Sequence, residues 1–237
     1  MKSPTDLRTA TLEPSSATRL RLAGPAATGR PALRGKLHEV AFWMSVVAGP
    51  ALVLAAPAGG ARLATAVYAL TVSGLFGVSA LYHRVNWSPA RRVLLRRADH
   101  AMIFLLVAGT YTPISLVLPH GQARWLLAVV WTGALLGVVF ALLWPSAPRW
   151  VQGIVYVALG WTALAVLPGL FAALGPAAVA LIVGGGVLYT LGAVVYARRW
   201  PDPWPQVFGY HEIFHALVVA AALCHLLVVT RDVLPLL

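Results

Sequence analysis

With 59% hydrophobic and 11% charged residues in 237, and a mean hydropathy of +0.79, the chain has too little polar surface for a soluble globule. It reads as an integral membrane protein. The formal net charge of +11 does not argue for nucleic acid, because much of it lies in a tail beside a membrane. The single cysteine, Cys224, excludes an intrachain disulfide and reads as a small buried apolar residue.

Residues 1–36 contain no apolar run of signal-peptide type. They mix Pro, Thr, Ser and Ala with Lys2, Arg8, Arg19, Arg21, Arg30, Arg34 and Lys36, against Asp6 and Glu13. Such a segment cannot bury enough apolar area to offset its ordering entropy, which predicts a disordered basic tail attracted to anionic lipid headgroups. Residues 37–237 form the transmembrane domain. Seven apolar segments are predicted there, at roughly 39–57, 62–83, 98–118, 124–144, 150–168, 176–197 and 210–230. Each is long enough to cross a hydrocarbon core of about 30 Å as a helix. The expected fold is therefore an all-α bundle of seven transmembrane helices. Turn and interface residues mark the breaks, among them Asn86-Trp87-Ser88-Pro89 and Trp200-Pro201-Asp202-Pro203-Trp204-Pro205. Ser88-Pro89 reads as an N-cap followed by proline at the first helical position. The break around Ala173-Leu174-Gly175-Pro176 carries the least turn chemistry, and the count of seven depends on it.

Orientation follows from the basic residues. Fifteen of the 18 Lys and Arg fall in the tail, the second-to-third connection, Arg149, and Arg198 with Arg199; Arg62, Arg124 and Arg231 lie opposite. The positive-inside rule places the N-terminus in the cytoplasm and the C-terminus outside. His83 then ends the second span at the cytoplasmic side, Asp99 lies near the start of the third, and His211 and His215 occupy the first turns of the seventh. Topology alone brings these four groups to one membrane depth.

His211 and His215 are spaced i, i+4, so both imidazoles face one side of a helix and can reach one ion. Three histidines, with His83, leave an open position, the arrangement of a catalytic zinc site that activates water near neutral pH. Asp99 is placed to take a proton or orient the water. Ser79, one turn deeper than His83 on the same face, is placed to bond the water or a developing oxyanion. That set suits hydrolysis of an amide or ester in a membrane lipid. Other readings stand beside these: interfacial histidines bonded to backbone carbonyls, Asp99 paired with Arg96 or Arg97, and Ser79 as a small helix-contact residue.

Ser79-x-x-x-His83, Arg97-Ala98-Asp99-His100 leading into Ala108-Gly109-Thr110-Tyr111-Thr112-Pro113, and His211-x-x-x-His215 together resemble the bacterial hemolysin III family. Arg34-Gly35-Lys36-Leu37-His38 also resembles the segment before that family's first span. The family belongs to the progestin and adipoQ receptor superfamily and is more distantly similar to the alkaline ceramidases. Over roughly residues 34–231 the resemblance implies seven helices and a zinc held by the histidines matching His83, His211 and His215, with Ser79 and Asp99 beside it. It further implies a role in membrane lipid homeostasis. Receptor relatives sense ligands and ceramidase relatives hydrolyse lipid amides. A non-catalytic receptor or regulator with a structural zinc therefore stands as one alternative to a hydrolase, and a cytolytic hemolysin-like protein as another. No span shows the regular polar stripe of a pore.

Glu212 points about 100° from His211 and reads as a pairing residue rather than a ligand. His100 is at most a support for Asp99, and His38 and His120 read as interfacial. Gly133 to Gly137 and Gly184-Gly185-Gly186 read as close helix packing. His225, about 21 Å beyond His211 along the helix, raises the possibility of stacked haems. A bis-histidine haem at its depth needs a second histidine that the sequence does not supply, so His225 reads as a buried polar residue.

Overall fold

A computed structural model of the chain describes residues 31–237; Met1–Arg30, most of the expected basic tail, lies outside the described residues. Within the described part, Pro31–Leu237 forms one body built from helices. In order these are α1 (Lys36–Ala55), α2 (Gly60–Arg84), α3 (Pro89–Ile114, extended by a 3-10 turn at Ser115–Val117) and α4 (His120–Leu143). There follow α5 (Arg149–Gly160), a 3-10 segment Trp161–Val166, α6 (Leu167–Arg198) and α7 (Tyr210–Leu227), which continues as a π-helical turn Val228–Val233. The described residues contain no β-strand; one isolated bridge joins Trp204 and Phe208.

Among the described residues, six helical stretches are long and apolar enough to cross a membrane, and the protein is a multi-pass membrane protein with a helical bundle fold. The fifth stretch, Arg149–Arg198, runs 50 residues, about 75 Å if straight and more than twice a hydrocarbon core. It is not straight. Gly175 has φ 76° and ψ 177° and interrupts the helix between α6's first turns and its long remainder. Glycine enters that left-handed region without a Cβ penalty, and Pro176 after it has no N–H to give to the ladder. A second irregularity lies at Trp161–Val166, where the Tyr111 hydroxyl from α3 donates to the Gly160 carbonyl. The same oxygen accepts from the Ala163 N–H at 3.0 Å. In a bilayer every backbone group released from a helix needs such a partner.

Helices extend past the apolar segments that announce them. α3 begins at Pro89, where Ser88-Pro89 announced a helix start, ahead of the apolar run from 98: hydropathy marks only the part of a helix in hydrocarbon, and Arg91 to Arg97 form its interfacial turns. Ser88 holds the N-cap position with Pro89 following, but its hydroxyl makes no capping bond. Pro31 to Lys36, the last part of the expected tail, form a turn and the first residue of α1.

Consecutive helices pack on one another, and α7 closes the bundle against α6 and α1. The interior is filled by Phe104, Leu126, Val130, Leu170 and Val228, all 0% exposed, while Val47, Leu54 and Leu143 are 73–79% exposed and face outward. An outward apolar face matches lipid on a membrane protein. Gly137 permits close packing: a Cβ there would lie 2.2 Å from Phe104 of α3. A smaller apolar cluster of Ala41, Leu75, Phe76, Leu106, Val218 and Ala222 ties α1, α2, α3 and α7 together next to the histidines.

Candidate metal centre

Three helices build the site: the C-terminus of α2, the first turns of α7, and α3 at a point about three turns from its start. His83 is the penultimate residue of α2, and His211 and His215 lie one turn apart at the start of α7. One ligand-type nitrogen from each lies within 4.8 Å of the other two. His83 Nε2 and His211 Nε2 are 3.2 Å apart. The ring centroids of His211 and His215 are separated by 4.5 Å, and those of His83 and His215 by 5.1 Å. His211 and His215 are buried and His83 nearly so.

Asp99 Oδ2 lies 3.7 Å from His83 Nε2, with the carboxylate side chain 15% exposed. Among the described residues no salt bridge joins Asp99 to Arg96 or Arg97, and the carboxylate lies against His83 instead. Ser79 is buried one turn before His83 and lies beside the Asp99 carboxylate. All five residues singled out in the sequence thus meet. His100 does not join them: its Nδ1 donates to the Arg96 carbonyl at 2.7 Å, back along its own helix.

The segment before α1 forms a strap along this end of the bundle. Ala32 N–H donates to the Gln206 carbonyl at 2.9 Å and Leu33 N–H to that of Val207 at 3.2 Å. Arg34 Nε lies 2.7 Å from Glu212 Oε1, although its N–H is not aimed as a hydrogen bond. Glu212, 1% exposed, also accepts from the Gly209 N–H through Oε2 at 2.9 Å. Glycine has no side chain to return that bond, so Glu212 forms the reciprocal half of a capping box. Gly35 follows with φ 75°, and a Cβ there would sit 2.6 Å from His83 Cβ. Only glycine meets both demands.

His38, expected at the interface, is 3% exposed and part of the site. Its ring stacks on His215 with centroids 3.8 Å apart and planes 5° apart, and Phe76 meets it edge-on at 5.1 Å. The depth argument that selected His83 applies equally to α1, which begins at the same end. Starting that span at residue 39 hid the histidine. At the rim, Arg149 of α5 lies over the Tyr196 ring at 5.0 Å, and its Nη1 donates to the Tyr210 hydroxyl at 3.4 Å. His225 is elsewhere: buried, it contacts the Ile182 carbonyl at 3.4 Å and lies against Gly185, which has no Cβ to exclude it.

The donor set fits a zinc ion. Zinc bonds to imidazole nitrogen at about 2.0–2.1 Å, so two ligands in a tetrahedral sphere lie about 3.3 Å apart; His83 and His211 are at 3.2 Å. His215 Nδ1 is buried without a hydrogen-bond partner, a condition a folded protein normally avoids. Imidazole is neutral and borderline in softness, so zinc suits these ligands better than calcium or magnesium.

The sequence profile described as Haemolysin-III related matches residues 27–226. Over 204 residues the chain is 30% identical to "Hemolysin-3" of Bacillus cereus, covering 84% of this chain and 89% of that protein. It is 29% identical over 157 residues to "Hemolysin-3 homolog" of Bacillus subtilis (66% and 70%). To "Adiponectin receptor protein" of Drosophila melanogaster it is 31% identical over 150 residues (56% and 34%). The chain belongs to the hemolysin III family, within the progestin and adipoQ receptor superfamily.

The Arg34–Glu212 pair makes an asymmetric prediction. Arg34→Ala leaves a carboxylate uncompensated at 1% exposure and should destabilise the protein by about 3 kcal/mol. Glu212→Gln keeps an acceptor for Gly209 N–H and frees a guanidinium that is 21% exposed, so its loss should be about 1 kcal/mol. Thermal unfolding in one detergent, followed by circular dichroism, orders the two variants; the reverse order would refute this account.

Proposed function

We propose that this hemolysin III family member is a zinc-dependent membrane protein acting on lipid, as a hydrolase of lipid amides or esters. The observation that carries the proposal is the convergence of one nitrogen each from His83, His211 and His215 within 4.8 Å. His83, His211 and His215 would hold the ion, which when bound supplies Lewis acidity to activate water and polarise a carbonyl. Asp99, 3.7 Å from His83 Nε2, takes up a proton from the attacking water and returns it to the leaving amine or alcohol. Ser79, beside Asp99, would orient the carboxylate or turn its hydroxyl to a developing oxyanion. The nearby apolar cluster of Phe76, Leu106 and Val218 limits water around these groups.

A receptor or regulator with a structural ion is the competing function, favoured by similarity to a relative named as an adiponectin receptor. Membrane lipids are the proposed partners in both. We further propose seven spans, with the break at Gly175 dividing the 50-residue stretch. An odd count and the positive-inside rule support a cytoplasmic N-terminus, an outer C-terminus and a site at the inner leaflet.

Metal analysis of the purified protein should find about one zinc per chain, falling to background in His211→Ala and His215→Ala. Equal content in all three would refute the three-histidine centre. Lipid turnover, measured on sphingolipid and phospholipid vesicles, should fall on the order of 100-fold or more in Asp99→Asn and less in Ser79→Ala. Absence of turnover in a zinc-loaded wild type would decide for the receptor. A phosphatase reporter fused after Leu237 should be active outside the cytoplasm; activity only inside would refute the orientation.

A further inference from the structure

A buried imidazole ordinarily finds a partner for at least one ring nitrogen. His38 makes no well-directed bond: Nδ1 and Nε2 are both buried without a hydrogen bond of good geometry, and the backbone group the ring approaches is that of His215. What it has instead is a face, since its ring lies 3.8 Å from that of His215 at 5° between planes. The two rings lie nearly parallel, face against face.

The stack rules out one role and suggests another. Lone pairs of imidazole nitrogens lie in the ring plane, so two parallel rings point theirs along parallel lines that do not meet at one ion. His38 also stands outside the set of nitrogens that approach one another within 4.8 Å. It is not a fourth ligand. A ligand ring is useful only if its plane is right, however, and χ2 of histidine is a broad torsion that helix geometry does not fix. His215 lies in a helix whose backbone sets its Cβ and leaves its ring free to turn. His38 restricts that turn from one face.

We infer that His38 is a positioning residue of the metal centre, its stacked ring holding the plane of the His215 imidazole for metal binding. The inference rests on the zinc centre proposed above. His38 is itself held from several sides. Phe76 meets its ring edge-on at 65°. Gly35, three residues earlier, packs against His83, and Arg34 pairs with Glu212, next to His211. The strap and the first turn of α1 thus touch each ligand or its neighbour, and His38, in that turn, touches a ligand ring. Coordination also withdraws electrons from an imidazole, and the face of a neutral ring is a favourable neighbour for an electron-poor one. The stack therefore favours the metal-bound state over the metal-free one.

Three substitutions in the full-length protein, in detergent, separate a flat face from nitrogen and from volume. Zn2+ and Co2+ affinities are measured, together with the visible ligand-field spectrum of the Co2+ form. His38→Phe keeps the face and loses the nitrogens; it should bind both ions within about threefold of wild type and give the wild-type Co2+ spectrum, since stacking is retained. His38→Leu keeps bulk without a flat ring, and His38→Ala keeps neither. Both should lose about 10- to 100-fold in affinity, the loss usual for a residue supporting a ligand, with a weakened or shifted Co2+ spectrum. Should His38→Ala fail to fold, the comparison of Phe with Leu still decides. A Phe variant as defective as Leu would overturn the inference in favour of the nitrogens, and a Leu or Ala variant with wild-type affinity and spectrum would overturn it outright. A wild type that takes up neither ion overturns the metal centre and this inference with it; a binding wild type with unaffected variants overturns this inference alone.

Discussion

The end of the bundle that carries the histidines depends on one buried carboxylate. Glu212, at 1% exposure, faces Arg34 at 2.7 Å and the Gly209 N–H at 2.9 Å. An ionised carboxylate without such partners would lose several kcal/mol on leaving water. The partners come from two directions: Gly209 belongs to the entry of α7 itself, and Arg34 to the strap before α1. Satisfying Glu212 therefore fixes the start of one helix against the start of another. Backbone bonds from Ala32 to Gln206 and from Leu33 to Val207 continue the same seam. Once it is made, α7 has a defined register, and His211 and His215 on either side of Glu212 have defined positions.

Helices supply the remaining precision. The i, i+4 spacing of His211 and His215 is a property of α-helix geometry, but the approach of His83 is a property of packing. It requires the strap to pass directly over α2, and the missing Cβ at Gly35 makes room where a methyl carbon would lie 2.6 Å from His83 Cβ. Below the site, Phe76 of α2, Leu106 of α3 and Val218 of α7 share one apolar cluster. Ligands mounted on packed helices are held more closely than ligands on loops. The polar groups of the centre are thus positioned by apolar contacts on one side and by a single charge pair on the other.

Much of this was legible in the sequence, and for identifiable reasons. Apolar runs disclose membrane helices because hydrocarbon tolerates little else, and alternation of direction then carries His83, Asp99, His211 and His215 to a common depth without reference to packing. Hydropathy alone marks helix ends poorly: Pro89 to Arg97 are helical but too basic for that signal, and there Ser88-Pro89 disclosed the start instead. The same blindness hid His38, which lies in the first turn of α1 outside the apolar run. The role of Glu212 was half visible, as a residue needing a partner, but that partner is Arg34, in a segment whose composition resembles a tail. Composition averages over a stretch, whereas Pro31 to Gly35 are ordered by a few specific bonds to a loop more than 170 residues away.

His225 shows why depth and burial alone do not make a site. It is as buried as the histidines of the centre, and like His38 it leaves a nitrogen, Nδ1, without a partner. Its other nitrogen, however, is turned to the Ile182 carbonyl at 3.4 Å, and its ring fills the space left by Gly185. Its aromatic neighbour is Tyr189, with centroids 5.7 Å apart, and a phenol is a poor ligand for zinc while protonated. His83, His211 and His215 differ in convergence: three nitrogens from two helices point at one volume, with a carboxylate beside them. Imidazole nitrogens crowded together away from water can share few protons, as His83 and His211 do at 3.2 Å, and a cation of suitable size can take a lone pair from each instead. That arrangement is available at the helix ends and absent around His225, so the chemistry is assigned to the former.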